Sequence, residues 1–254
     1  MEGLCHVFFI FGLLVAGGSA AKTKSKFYMG TATWYHAADG DGSDGGACGY
    51  GTMIHANGYK TRETAVSDVL FRDGLGCGRC YKVMCYGHPL CNKRFITVVA
   101  MDQSPGGSWP HFDLSGSAFG RMAIDSRSAA GLRNVGKINI AWTRTLCKYG
   151  NKTIAFVVMG GSSAYWFSVE VEYENGAGDI ASMQIKDTLS EGWQDMRHVW
   201  GASWAAFKGP LQGPFSIKLT SSSRKRGKTL TLNNVIPKDF VVGATYTSHV
   251  KFDD

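Results

Sequence analysis

The chain has 254 residues, of which 33 are glycine and 19% are charged, against usual values of about 7% glycine and about 25% charged. Hydrophobic residues at 44% and aromatics at 12% supply enough apolar surface for a core, which excludes disorder of the low-hydrophobicity kind. The formal net charge of +7 favours acidic partners, and no apolar stretch reaches the roughly 18 residues of a membrane span.

Residues 4–16 form an apolar run closed by Gly17, Gly18, Ser19, Ala20 and Ala21 and followed by Lys22, Lys24 and Lys26. This pattern predicts a secretory leader over residues 1–21, cut near Ala20 or Ala21, although Glu2 stands where a basic residue is usual. Removal of the leader takes Cys5 with it and leaves Cys48, Cys77, Cys80, Cys85, Cys91 and Cys147. In an oxidising compartment six cysteines default to three disulfides. The CxxC at Cys77 and Cys80, with Cys85 and Cys91 close behind, would read as a zinc site in a cytosolic chain. Secretion argues against that, and no strand-helix unit surrounds it to support a redox role.

Along the first half, β-branched and aromatic runs bounded by turn formers predict strands over residues 28–35, 79–85, 95–102 and 137–143, with short helices over 62–71 and 115–123. Gly40, Gly42 and Gly45 fit a phosphate-loop spacing, but no helix pattern follows, and Asp41 and Asp44 would repel pyrophosphate. Asp39, Asp41 and Ser43 begin like a calcium loop. Asp44 and Tyr50, however, stand where the loop needs Gly and Glu, so the segment reads as a flexible acidic loop.

All six mature cysteines end at Cys147, a shift in composition that marks a boundary. The expected domains are residues 27–147 and 153–254, joined by a linker over 148–152. The sequon Asn151-Lys152-Thr153 makes Asn151 a glycan acceptor in a secreted chain. Beyond it, strands at residues 153–159, 166–173, 180–185, 215–220, 229–232 and 245–251, with no helical period between them, predict a β-sandwich. Arg224, Lys225, Arg226 and Lys228 read as a solvated hairpin tip, with attraction to an anionic polymer as the functional alternative. Secretion argues against nucleic acid as a partner.

Three stretches carry more specific chemistry: Thr31-Ala32-Thr33-Trp34-Tyr35, Val98-Val99-Ala100-Met101-Asp102 and His111-Phe112-Asp113-Leu114-Ser115-Gly116. Asp102 ends an apolar strand, where a carboxylate forms a turn or faces a cleft. Asp113 sits between Phe112 and Leu114, so strand alternation turns it away from both, and desolvation there would suit a general acid or a donor to a sugar oxygen. In residues 166–173 the same alternation puts Phe167, Val169, Val171 and Tyr173 on one face. Trp166, Ser168, Glu170 and Glu172 then lie on a polar face expected to meet solvent, where Trp166 would stack on pyranose rings.

At these residues the sequence resembles the expansins, most closely the plant β-expansin branch. The matching motifs include Ala32-Thr33-Trp34-Tyr35, Gly45-Gly46-Ala47-Cys48-Gly49-Tyr50, Gly76-Cys77-Gly78-Arg79-Cys80-Tyr81, His111-Phe112-Asp113-Leu114-Ser115-Gly116, Lys208-Gly209-Pro210, Gly213-Pro214-Phe215-Ser216 and Ala244-Thr245-Tyr246-Thr247-Ser248. The resemblance implies an all-β protein, a six-stranded double-psi β-barrel followed by an immunoglobulin-like sandwich that binds polysaccharide. It implies the pairs Cys48–Cys77, Cys80–Cys147 and Cys85–Cys91. It further implies a protein that loosens plant cell walls without measurable hydrolysis, and together with the leader the expectation is a secreted monomer that needs no cofactor.

The barrel groove would be lined by Thr33, Trp34, Tyr35, Asp102, His111 and Asp113. Related inverting endoglucanases add a base two residues after the Tyr of the first motif, and here that position is Ala37, so hydrolysis is not expected unless Asp39 or Asp41 substitutes. Tyr165 and Trp204 would join Trp166 in a binding platform, whereas Trp193 and Trp200 read as core or edge packing. The partners expected are cellulose, xylan or another matrix glucan, with acidic pectin favoured by charge. A carbohydrate-binding protein without loosening activity is the alternative.

Overall fold

The computed structural model describes residues 26–42, 44–51, 62–222 and 227–252. The expected leader, Cys5, Ser43 and the basic residues Arg224, Lys225 and Arg226 lie outside the described residues.

The first unit is a closed barrel of six strands: β1 (Tyr28–Tyr35), β2 (Glu63–Val66), β3 (Cys80–Cys85), β4 (Ile96–Gln103), β5 (His111–Ser115) and β6 (Ile138–Thr145), closed in the order β1-β5-β2-β4-β3-β6. The pairs β1/β5 and β2/β4 run parallel and the remaining neighbours antiparallel. Closure leaves no unpaired edge on these strands. Inside, Ala32, Val83, Val98, Ala100, Phe112, Leu114 and Ile140 are fully buried, and Tyr81, Phe112 and Trp142 meet with ring centroids 5.2–5.7 Å apart. Residues 62–71, expected as one helix, divide into strand β2 and a four-residue helix α1 (Asp68–Phe71). The i, i+4 spacing of Ala65 and Val69 mimics a helix, but the ladders to β4 and β5 win over that local preference. Helices α2 (Gly116–Gly120) and α3 (Ala129–Val135) cap the barrel.

The second unit carries β7 (Ala155–Val158), β8 (Phe167–Glu172), β9 (Ile180–Lys186), β10 (Gln194–Trp200), β11 (Ser203–Ala206), β12 (Phe215–Ser221), β13 (Thr229–Ile236) and β14 (Thr245–Thr247). They pair in the order β13-β12-β9-β10-β11-β8-β7-β14. β10 joins the two halves of this order, pairing with β9 over Gln194–Met196 and with β11 beyond, where a bulge falls between His198 and Trp200. Bulged strands bend, which lets the halves face each other over one core. Phe167 of β8 accordingly meets Phe215 of β12 at 4.4 Å, although the two strands are not neighbours in the sheet.

Three disulfides join Cys48 to Cys77, Cys80 to Cys147 and Cys85 to Cys91, the pairs that the resemblance implies. The junction between the units is dense. Cys147 and Gly176 exchange backbone hydrogen bonds at 2.8 and 3.0 Å. Arg79 and Arg144 of the barrel both grip Asp179, which is 3% exposed. Gly78 and Gly178 meet so closely that a Cβ on either would fall on the other's carbonyl oxygen. Tyr149, within the expected linker, is buried against Tyr173.

The expected solvent face of β8 is corrected by this junction. Ser168, Glu170 and Glu172 are 1%, 3% and 5% exposed. Alternation along a strand fixes which residues share a face, but here the second face is covered as well: a Cβ at Gly49 of the barrel would lie 2.8 Å from Glu170 Oε2.

Candidate functional site

The outer face of β1, β5 and β2 organises the site in rows. Register places Thr31 beside His111, Thr33 beside Asp113 and Tyr35 beside Ser115. On the other side of β5, Ala65 stands opposite Asp113, and beyond it Asp102 of β4. The two aspartates therefore flank a small alanine, two inter-strand spacings or about 10 Å apart at the backbone. Side chains alternate, so Ala32, Phe112 and Leu114 go inward while Thr33, His111 and Asp113 go to the groove and stay half-buried.

A chain of hydrogen bonds links these side chains. Thr33 Oγ1 donates to Asp113 Oδ1 at 2.5 Å and lies 2.9 Å from His111 Nε2; Thr31 Oγ1 lies 2.9 Å from His111 Nδ1. A hydroxyl has one proton, and that of Thr33 goes to Asp113, so His111 Nε2 meets Thr33 as the donor. Burial lowers the His111 pKa, assisted by Lys137 and opposed by the nearby Asp113 and by a hydrogen bond to the Thr31 backbone. The result is a fixed polarity that ends on the Asp113 carboxylate.

The other expected groove residues divide by role. Trp34 donates from Nε1 to the Arg133 carbonyl at 3.0 Å and packs against the barrel core. Asp102 Oδ1 accepts from the backbone N–H of Ala47 at 2.6 Å and of Gln103 at 2.8 Å, so it holds the 46–48 turn over the groove end. Gly46 fits there because a Cβ would strike Asp102 and the Met101 carbonyl. Ala37 lies in the exposed turn after β1, and its carbonyl accepts from Gly40 at 3.0 Å. Sequence reasoning missed Glu63. This carboxylate on β2 is fully buried and accepts from Tyr35 Oη at 2.5 Å. The helix expected over 62–71 concealed it, because only a strand aligns residue 63 with Ser115 and Tyr35.

On the second unit Tyr165 is 70% exposed, and Trp166 is half-buried just before β8 begins. Ser163 Oγ accepts from both backbone N–H groups at 3.3 Å, and the 208–210 turn packs closely behind Tyr165, where Gly209 leaves no room for a Cβ. Trp204 is corrected: it is 7% exposed in the sandwich core. Its register partner is Val169, a core residue, and cross-strand partners share a face. Trp200, expected as core or edge packing, packs at an edge and keeps 48% of its surface exposed. It lies against the barrel, since a Cβ at Gly49 would come within 2.9 Å of its ring. Exposed aromatics thus border both units, Trp109 at 59% exposure among them.

Comparison with known proteins agrees with this architecture. Residues 154–237 match the model of the expansin C-terminal domain, and residues 63–142 match a model described as lytic transglycolase. The chain is 49% identical to Expansin-B16 of Oryza sativa subsp. japonica over 96% of its length and 90% of the relative's. It is 50% identical to Expansin-B1 of Arabidopsis thaliana over 90% of its length and 85% of the relative's. The chain belongs to the expansin family. A crystal structure of an apo expansin from Clavibacter michiganensis superposes with a TM-score of 0.69 over 90% of this expansin and 99% of that chain, at 22% identity. A mutant of that bacterial protein, solved in complex with cellohexaose, matches equally well. Among the described residues of this expansin, no helix is long and apolar enough to cross a membrane.

Proposed function

We propose that this expansin is a secreted wall-loosening protein that binds wall polysaccharide and separates neighbouring polymers without cutting them. The observation that carries the reading is the Thr31–His111–Thr33–Asp113 chain on an open barrel face. It presents one carboxylate oriented by neighbours, while Ala37 stands where inverting endoglucanases of related fold keep a water-activating base. The cellohexaose held by the bacterial expansin of the same fold supports a β-glucan as ligand. Tyr165, Trp166 and Trp200 supply apolar faces for pyranose rings. Residues 27–147 would work as the barrel domain and 153–254 as the binding domain, with Asn151, exposed in the turn between them, as glycan acceptor.

Loosening needs only a difference in affinity. A groove that binds a separated glucan segment better than a packed one shifts the local equilibrium toward separation. Net charge of +7 would concentrate the protein on acidic pectin and make its retention salt-sensitive. The test is extension of a heat-inactivated wall under constant load, with reducing ends counted in the same samples. Creep without new reducing ends, lost in Asp113→Asn, is the expected result. Reducing ends that rise catalytically would replace this reading by hydrolysis, and binding to cellulose or arabinoxylan without creep would reduce it to adhesion.

A further inference from the structure

Glu63 has no part in the chemistry described so far, yet the chain goes to some length to keep it where it is. It is 0% exposed, and burying a carboxylate is costly unless it is paired and hydrogen-bonded. Tyr35 Oη donates to its Oε1 at 2.5 Å. Its other oxygen rests against Gly42, where any Cβ would fall on Oε2 and where φ is +122°. The loop that supplies Gly42 is itself tied to α2, because Ser117 donates from Oγ to the Gly40 carbonyl at 2.7 Å and its N–H bonds the same oxygen at 3.2 Å.

Register ties this carboxylate to the groove. Tyr35 stands beside Ser115 on β5, and the pairing of Thr64 with Leu114 and Ala65 with Asp113 continues that row to Glu63 on β2. The row Tyr35–Ser115–Glu63 is adjacent to the row Thr33–Asp113–Ala65. Tyr35 and Asp113 are thus diagonal neighbours on one sheet face.

We infer that Glu63 is a positioning residue that fixes the Tyr35 phenol as a hydrogen-bond acceptor facing the polysaccharide. A phenol has one proton. With that proton held by Glu63, the oxygen can meet a sugar hydroxyl only as acceptor. Asp113, whose Oδ1 already accepts from Thr33, presents acceptor oxygens as well. The groove floor therefore offers two neighbouring acceptors, suited to a glucan segment whose hydroxyls point toward it as donors. This inference rests on the proposal that the groove binds glucan, and it adds which way the hydrogen bonds run.

The test is calorimetric binding of cellohexaose, and of cellohexaose O-methylated at its hydroxyls, to the full chain. Wild type is compared with Tyr35→Phe, Glu63→Ala, Glu63→Gln, Asp113→Asn and the double variant Tyr35→Phe/Glu63→Ala. Losing one hydrogen bond of this kind weakens binding by about fivefold to tenfold. Tyr35→Phe and Glu63→Ala should each show that loss, and the double variant no more than either. Glu63→Gln, whose carbonyl still accepts from the phenol, should recover most of the affinity. Wild type should prefer the unmethylated sugar, and Tyr35→Phe and Glu63→Ala should lose part of that preference, which a merely structural effect would leave alone. If Glu63→Ala does not fold, Glu63→Gln and Tyr35→Phe with their double variant supply the cycle. Multiplying losses in the double variant, or unchanged preference for the free hydroxyls, would overturn the inference. Weak binding in Asp113→Asn with normal binding in all Tyr35 and Glu63 variants would sink the inference alone. Normal binding in every variant, Asp113→Asn included, or no binding by wild type, would sink the groove reading with it.

Discussion

Raising the pH from 5 to 7 should destabilise this protein, and the cause lies where β8 meets the barrel. Burial pushes the Glu170 carboxyl up to about 9, with Glu172 beside it adding to the effect. Burial likewise pushes Glu172 up to about 7, against the pull of Lys152. Glu174 follows in the same direction, driven by burial and then by Asp179. Tyr50, Tyr149 and Tyr173 complete the surroundings, and Tyr50 and Tyr173 are themselves raised by burial and by these acids. A carboxyl whose folded pKa lies above its unfolded value holds its proton better in the native state. Its contribution is full below the ordinary value of 4.5 and drains away as pH rises to about 7 for Glu172 and to about 9 for Glu170. Each group contributes a slope of at most about 1.4 kcal/mol per pH unit. Between pH 5 and 7 the two together remove roughly 4–5 kcal/mol, a large part of the ~5–15 kcal/mol that a domain possesses. His111, lowered by burial, acts in the opposite sense, so the comparison needs a variant. Urea unfolding at constant ionic strength should give midpoints that fall from pH 5 to 8, and Glu170→Gln should flatten the slope by about one proton's worth. A wild-type midpoint that is flat or rising over that interval, or an equal slope in the variant, would refute the reasoning.

Asp179→Ala leaves two arginines facing a void and should cost about 3–5 kcal/mol, the usual penalty for breaking a buried pair by removing one partner; the shift in urea midpoint reads it directly. Gly178→Ala combines a φ of +77° with a Cβ driven into Cys147 Sγ and the Gly78 carbonyl. It should destabilise the protein by more than the ~1–2 kcal/mol that a left-handed backbone alone costs an alanine, read as a fall in melting temperature; an unchanged melting temperature would mean that the two backbones are not in contact. Phe167→Ala empties the space against Phe215 and Phe240, with an expected loss of about 3–5 kcal/mol. Tyr165→Ala should leave thermal unfolding unchanged, because the side chain is 70% exposed, while weakening pull-down by insoluble cellulose; a loss of stability instead would assign Tyr165 to packing.

Where one face of a strand meets core and the other meets water, the residues alone were sufficient. β1 and β6 follow from runs such as Tyr28–Tyr35 and Ile138–Thr145, rich in aromatic and β-branched residues, and β12 alternates buried and half-buried residues as a half-covered strand should. Reading failed where tertiary contacts reverse a local signal. β2 carries a helix-like spacing. β10 and β11 escaped notice because Asp195, Arg197 and His198 break any apolar pattern and Ser203, Ala205 and Ala206 are small. Glu170 and Glu172 look like a wetted face and are not, since no strand records what lies across from it. At the site, Asp113, His111 and Thr33 were legible as a motif. Glu63 was hidden by the helix reading, and the inward turn of Trp204 follows from its register with Val169 on β8, a pairing that no spacing announces.

The clasp of Asp179 by Arg79 and Arg144, with glycine abutting glycine next to it, puts a packed seam between barrel and sandwich. Tyr165 and Asp113 are thereby kept at one separation, like two stops on a rigid jig. On the proposed reading, a polymer touching both would be measured against that span: one whose sugar repeat suits it would settle, and a curved or crowded one would have to straighten or leave its bundle first.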